Sequence, residues 1–194
     1  MKNRIIIGTI FLLSAIPLSA QSSKAPQDSP SAALDQFLTM GINGDLLAPE
    51  GWNKAGLLFV HPRPLPDGKL ITVVGGDYVI HEILVRGNQA EMSVTYRDLG
   101  RMDSSLRYSL PDARSPKIVV RYHLMLIGTS APSGANARET AGPREWRIES
   151  RRNPLWTGLS AAIQYVTDRS DKTTNPLVKR NAATTLMQLK KLQQ

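Results

Sequence analysis

Cysteine is absent from all 194 residues. No disulfide framework can form, no thiolate can bind a metal or attack a substrate, and a bacterial-type lipid anchor lacks the cysteine it needs directly after a signal. Histidine is scarce. His61, His81 and His123 are the only three, and no two stand at the i, i+2 or i, i+4 spacing that aligns metal ligands on a strand or helix. Neither a metal nor a cofactor is therefore expected. No Gly-x-Ser-x-Gly turn occurs, so the nucleophile elbow of a Ser-His-Asp hydrolase is missing. Gly75-Gly76 precedes a strand pattern rather than opening a helix, which makes it a turn or bulge, not a phosphate loop. No stripe of basic and aromatic residues marks a nucleic-acid face.

What is present begins with an export signature. Lys2 and Arg4 precede an apolar run of about 14 residues, shorter than the roughly 20 of a spanning helix. Pro17 then breaks the helix ahead of Leu18-Ser19-Ala20, where a small residue occupies the cleavage position. Residues 1–20 are thus expected to be a signal peptide cleaved after Ala20, leaving a periplasmic or secreted protein that is not integral to the membrane. Loss of Lys2 and Arg4 lowers the formal charge from +8 to +6. That mild basic bias suits an anionic partner such as a membrane surface or an acidic polymer, while export argues against nucleic acid.

Residues 21–29 are polar and without apolar periodicity, as in a flexible leader. Residues 30–194 are expected to form a single domain. Ser29 followed by Pro30 is an N-cap and first-turn signal, and Leu34, Phe37, Leu38 and Ile42 recur on one helical face. A second short helix is expected from Pro49, with Trp52, Ala55 and Phe59 on one side. Strand patterns follow at residues 70–74, 78–86 and 90–99, the last two joined by a Gly87-Asn88 turn. Met92, Val94 and Tyr96 alternate with polar residues, as in a strand buried on one face. A weaker strand is expected within 104–110, a strong one at 117–127, and a return strand at 144–150 beyond a Ser/Gly/Ala/Pro-rich loop. Residues 153–194 read as a helical extension, with helices at 155–166 and from Thr174 or Asn175 onward. The fold class is α+β: N-terminal helices, a curved antiparallel sheet of about five strands, and two C-terminal helices.

Helices first, then long hairpin strands over residues 30–150, resemble the NTF2-like (SnoaL-like) cone fold. Gly44-Asp45-Leu46-Leu47 after a helix ending at Asn43 is similar to the turn between the first two helices of that family. The chain departs from the family pattern in lacking a third helix before Tyr78 and in carrying two helices after the sheet. The tail around Asp171–Pro176 also resembles that of exported bacterial proteins with no assigned activity. The resemblance implies a concave sheet face lining a pocket, and a homodimer, since family members often pair through the open sheet face. Its members include isomerases, dehydratases and non-catalytic binding domains, so fold alone does not select a function.

Within such a pocket, His123 with Asp98 would form an acid/base pair, and Tyr96 or Tyr122 would donate a hydrogen bond. The alternative is that Arg121 and His123 mark the solvent face of their strand. Arg121 is one candidate for holding an anion. Arg147, Arg151 and Arg152, which cluster with Arg144 within nine residues, are the others, although a solvated strand end beside Glu145 and Glu149 explains that cluster equally well. With no catalytic signature in view, the expected function is a non-enzymatic binding domain for a small molecule or an envelope protein. The alternative is a small cofactor-free isomerase or hydrolyase using the His-carboxylate pair.

Overall fold

The computed structural model describes residues 29–61, 64–66, 70–111, 116–128, 144–149 and 155–194. The expected signal peptide, most of the leader, and Arg151 and Arg152 lie outside the described residues.

The Ser29-Pro30 signal forms helix α1, Pro30–Ile42. Ser29 Oγ accepts from the Ala32 N–H at 3.1 Å, satisfying one of the donors a helix start leaves open. Ala33, Leu34, Phe37, Leu38 and Gly41 make its buried face. Gly44 follows at φ +84°, a left-handed turn that costs glycine nothing, and a 3-10 turn, Asp45–Leu47, leads into α2, Pro49–Gly56. This second helix stops three residues short of Phe59. The backbone there instead bridges to the sheet, with Val60 N–H donating to Ile148 O at 3.0 Å and Ile148 N–H to Leu58 O at 2.7 Å. The exchange buries Phe59 edge-on against Phe37, at 5.3 Å between ring centres, a contact that continuing the helix would not make.

The sheet contains β1, Leu70–Arg86; β2, Gln89–Asp103; β3, Tyr108–Ser109; β4, Lys117–Gly128; β5, Arg144–Ile148; and β6, Trp156–Gly158. Their order is β5-β4-β2-β1-β6, with β3 attached to β2, and the sheet curls into a half-barrel with helices at both ends. The patterns at 70–74 and 78–86 are one long strand. Its register against β2 shifts between Val73 and Tyr78 and again between Glu82 and Leu84, so Gly75-Gly76 lies in a bulge. The α+β class stands, but the sheet is mixed rather than purely antiparallel. Residues 72–74 of β1 run parallel to 156–158 of β6, where the sequence pattern suggested the start of a helix.

Helix α3, Leu159–Lys172, therefore begins four residues later than expected, and α4, Pro176–Lys191, packs beside it. Asn175 Oδ1 caps α4 by accepting from Leu177 N–H at 2.9 Å, and Pro176 takes the first turn. Helix α4 also closes the far end of the sheet. Asn181 Nδ2 donates to Ser105 O at 3.0 Å, and Thr185 Oγ1 donates to Leu106 O at 2.7 Å. Leu106 has φ +61°, a strained choice for a branched side chain, yet it is fully buried. Asp103 holds that turn from below, its Oδ1 accepting from Ser105 N–H and Oγ and from Arg107 N–H. Burial opposes ionisation of Asp103, but these bonds outweigh it and keep the carboxyl below its usual range.

Candidate binding cleft

The concave side of the sheet is where a cone-like pocket would open. Phe37 stands against it, 6.3 Å from the Tyr122 ring and 6.4 Å from the Trp156 ring, while Tyr96 packs on Trp156 at 5.1 Å. Gly41 lets the indole approach α1, since a Cβ at that position would fall 2.2 Å from the Trp156 ring. The Tyr96 and Tyr122 hydroxyls lie 3.2 Å apart and share a hydrogen bond. Burial pushes both phenols up, Tyr122 to about 12 and Tyr96 further. The Tyr78 hydroxyl, less deeply set, donates to Asp35 Oδ1 of α1 at 2.6 Å. Aromatic rings and their hydroxyls thus line this side of the sheet.

The residues singled out from the sequence are distributed as follows. Tyr96 is buried on the concave side. His123 is exposed on the opposite, convex side, across from Glu91. Asp98 is seven residues farther along β2 than Glu91, roughly 23 Å at the rise of a strand. Its carboxylate is buried and accepts from Arg101 Nη1 at 2.6 Å and Gly100 N–H at 3.0 Å. Gly100, at φ +137°, approaches β3 so closely that a Cβ would meet Ser109 O at 2.3 Å. Asp98 thus pins a backbone irregularity, and exposed His123 lies on the face of the sheet opposite buried Tyr96. Arg121 pairs with Glu91 at 3.3 Å on the convex face, an exposed contact of about 1 kcal/mol or less. Arg147 pairs with Glu145 at 3.4 Å, and its buried Nε has no partner among the described residues.

A different concavity is present where the α1–α2 corner meets α3. Asn43, Gly44, Leu47, Ala48 and Pro49 form one wall, and Ala161, Gln164, Tyr165, Asp168, Arg169 and Lys172 form the other, around a volume of about 370 Å³. The six residues of α3 recur every three or four positions, hence on one helical face. Gln164 Nε2 donates to Asp168 Oδ1 at 2.6 Å, which occupies the one carboxylate of the lining. The Arg169 guanidinium lies 6.0 Å from the Tyr165 ring centre, at the limit of a cation–π contact. Behind Gly44, the fully buried Thr157 hydroxyl has no partner among the described residues and lies 3.5 Å from where a Cβ at residue 44 would stand. The lining thus combines two cations and one carboxylate with the apolar side chains of Leu47, Ala48, Pro49 and Ala161.

Sequence reasoning missed this cleft. Ending the helix near residue 166 left Asp168, Arg169 and Lys172 off its face, and the cue that would have found them is the Gln164-Asp168-Lys172 spacing of four. Among the described residues, no three His, Asp or Glu side chains gather to hold a metal ion, and no helix is long and apolar enough to cross a membrane. The chain matches no family model, no curated protein and no solved structure.

Proposed function

We propose that this is an exported, non-enzymatic domain that binds a small anionic molecule, such as a carboxylate with an apolar body, in the cleft between the α1–α2 corner and α3. The observation that carries the reading is the lining itself. Arg169 and Lys172 share the lining with Leu47, Ala48, Pro49 and Ala161, and outnumber its one carboxylate, Asp168. A volume of about 370 Å³ falls within the range of small-molecule sites. Export rests on the pattern of residues 1–20, and the NTF2-like reading of the fold rests on the order of helices and hairpins. Against a His-carboxylate enzyme stand the separation of His123 from Asp98 and the aromatic packing of the concave face.

The test is a thermal unfolding series on the mature chain from Gln21 with succinate, benzoate and inorganic phosphate. Ligand at about a hundred times Kd adds about 2.7 kcal/mol, a rise of several degrees. At least one of the three should raise the unfolding temperature, and the Arg169→Ala/Lys172→Ala double variant should lose the rise. A rise that survives in the double variant, or none with any of the three, overturns the assignment.

A further inference from the structure

Charge is spread unevenly over the two C-terminal helices. Helix α3 sets Asp168 and Asp171 against Arg169 and Lys172, whereas α4 carries Lys179, Arg180, Lys190 and Lys191 and no acid. The inner face of α4 is occupied. Ala182, Thr185 and Leu189 are buried there, and Asn181 and Thr185 hold the turn at Ser105-Leu106. The outer face is open to solvent. All four cations are exposed, and none forms an ion pair among the described residues. Leu177 and Met187 stand among them, each 55% exposed. At the pitch of an α-helix these six side chains fall within about 160° of its circumference, with the two apolar ones about 15 Å apart. We propose that this outer face of α4 docks on a bilayer surface rich in anionic phospholipid, the cations lying among the headgroups and Leu177 and Met187 at the acyl boundary.

Helix stability does not account for these charges. Lys190 and Lys191 suit the negative end of the helix dipole, but Lys179 lies in the first turn and Arg180 directly after it, where the dipole disfavours a cation. The first turn holds no acid to offset them. An acidic polymer would satisfy the cations, yet it gives Leu177 and Met187 nothing to pack against. A lipid surface takes both kinds of side chain, since the charged heads stay among phosphates while their stems and the apolar neighbours reach the acyl boundary. Three of the four cations are lysines, which suit dispersed headgroup charge rather than the bidentate grip of arginine on a single phosphate. The cleft is lined by the α1–α2 corner and α3, with no residue from α4, so the proposal is independent of any ligand there.

Cosedimentation of the mature chain with vesicles tests it, comparing phosphatidylcholine alone with phosphatidylcholine holding about one-third phosphatidylglycerol. Each Lys or Arg near such a surface is worth about fivefold in affinity. At low salt the wild type should bind the anionic vesicles at least about a hundredfold more tightly than the neutral ones, and should release them in about 1 M salt. Lys190→Glu/Lys191→Glu should weaken the binding at least about twentyfold. Lys54→Glu/Arg86→Glu makes an equal change of net charge at exposed positions outside α4, and should change the binding less than about threefold. Leu177→Ser/Met187→Ser should weaken it about tenfold, with circular dichroism unchanged. Indifference to lipid charge, a control variant that loses as much as the α4 reversal, or an apolar double variant that binds as well as the wild type would overturn the assignment, the last outcome pointing to an acidic polymer instead.

Discussion

Between Thr72 and Val74, β1 has β2 on one side and β6 on the other, and Val73 and Val74, with Ile71 just before them, are buried to 2% exposure or less. Beyond the Gly75-Gly76 bulge the same strand keeps β2 alone, and Val79, Ile83, Leu84 and Val85 stand in solvent. Composition barely changes across the bulge; neighbours do. Aliphatic character therefore reports strand propensity in both halves, and burial only in the one that β6 and the helices cover.

That contrast breaks most directly by truncating one isoleucine in each half. Ile71→Ala should cost about 2–5 kcal/mol, as core deletions do, and Ile83→Ala about 0.5 kcal/mol or less in the monomer. Urea unfolding of the two variants decides it, and equal losses would mean that the outer half is as much core as the inner.

Alkaline pH probes the concave face through Tyr96 and Tyr122, which lie in register with Tyr78 and Glu82 of the outer half. The phenols of Tyr96 and Tyr122 ionise above their ordinary value of 10 while folded, so their burial stabilises fully below pH 10. That contribution is lost as pH rises from 10 through about 12, because the unfolded chain releases protons that the folded one retains. The slope should be about 1.4 kcal/mol per pH unit for each tyrosine. Denaturant midpoints between pH 10 and 12 should fall accordingly, and Tyr96→Phe should lower the slope by one tyrosine's share, the raised phenols of Tyr122, Tyr78 and Tyr108 supplying the rest.

The smallest effect lies at the boundary between the halves. A Cβ at Gly76 meets nothing within 4 Å, whereas one at Gly75 meets Arg97 at 3.0 Å. Gly76→Ala should leave stability unchanged or raise it by about 0.4–1 kcal/mol, and Gly75→Ala should lower it. Thermal unfolding of the pair shows whether the bend needs both glycines or one.

How much was legible in the sequence follows the same division between local and distant causes. The start of α1 was readable because Ser29 and Pro30 act on their own neighbours, and β2 because its alternation is a property of the strand itself. Strand β6 was not. Trp156, Thr157 and Gly158 are buried on every side, and their partner lies more than eighty residues away, so no local pattern distinguishes them from a helical turn. Phe59 reads as helical for the same reason, since its spacing from Trp52 and Ala55 is helical and its contacts with Phe37 and the Ile148 strand are distant. Reading β6 as helix also displaced the face of α3 that lines the cleft. The placement of His123 and Asp98 was illegible for a different reason. His123 and Asp98 lie on adjacent strands, but neither the face nor the distance along the strand follows from adjacency.

The wall that α4 makes has a consequence for the order in which the protein is built. Thr185 and Asn181 secure a turn some eighty residues upstream, and Trp156 closes a parallel pairing with Thr72. A growing chain that has reached only residue 150 has its two long strands but neither of these closures. Contacts so far apart form late and slowly. Completion of the fold thus waits until nearly the whole polypeptide has been synthesised, even though the pairings among β1, β2, β4 and β5 lie within residues 70–148.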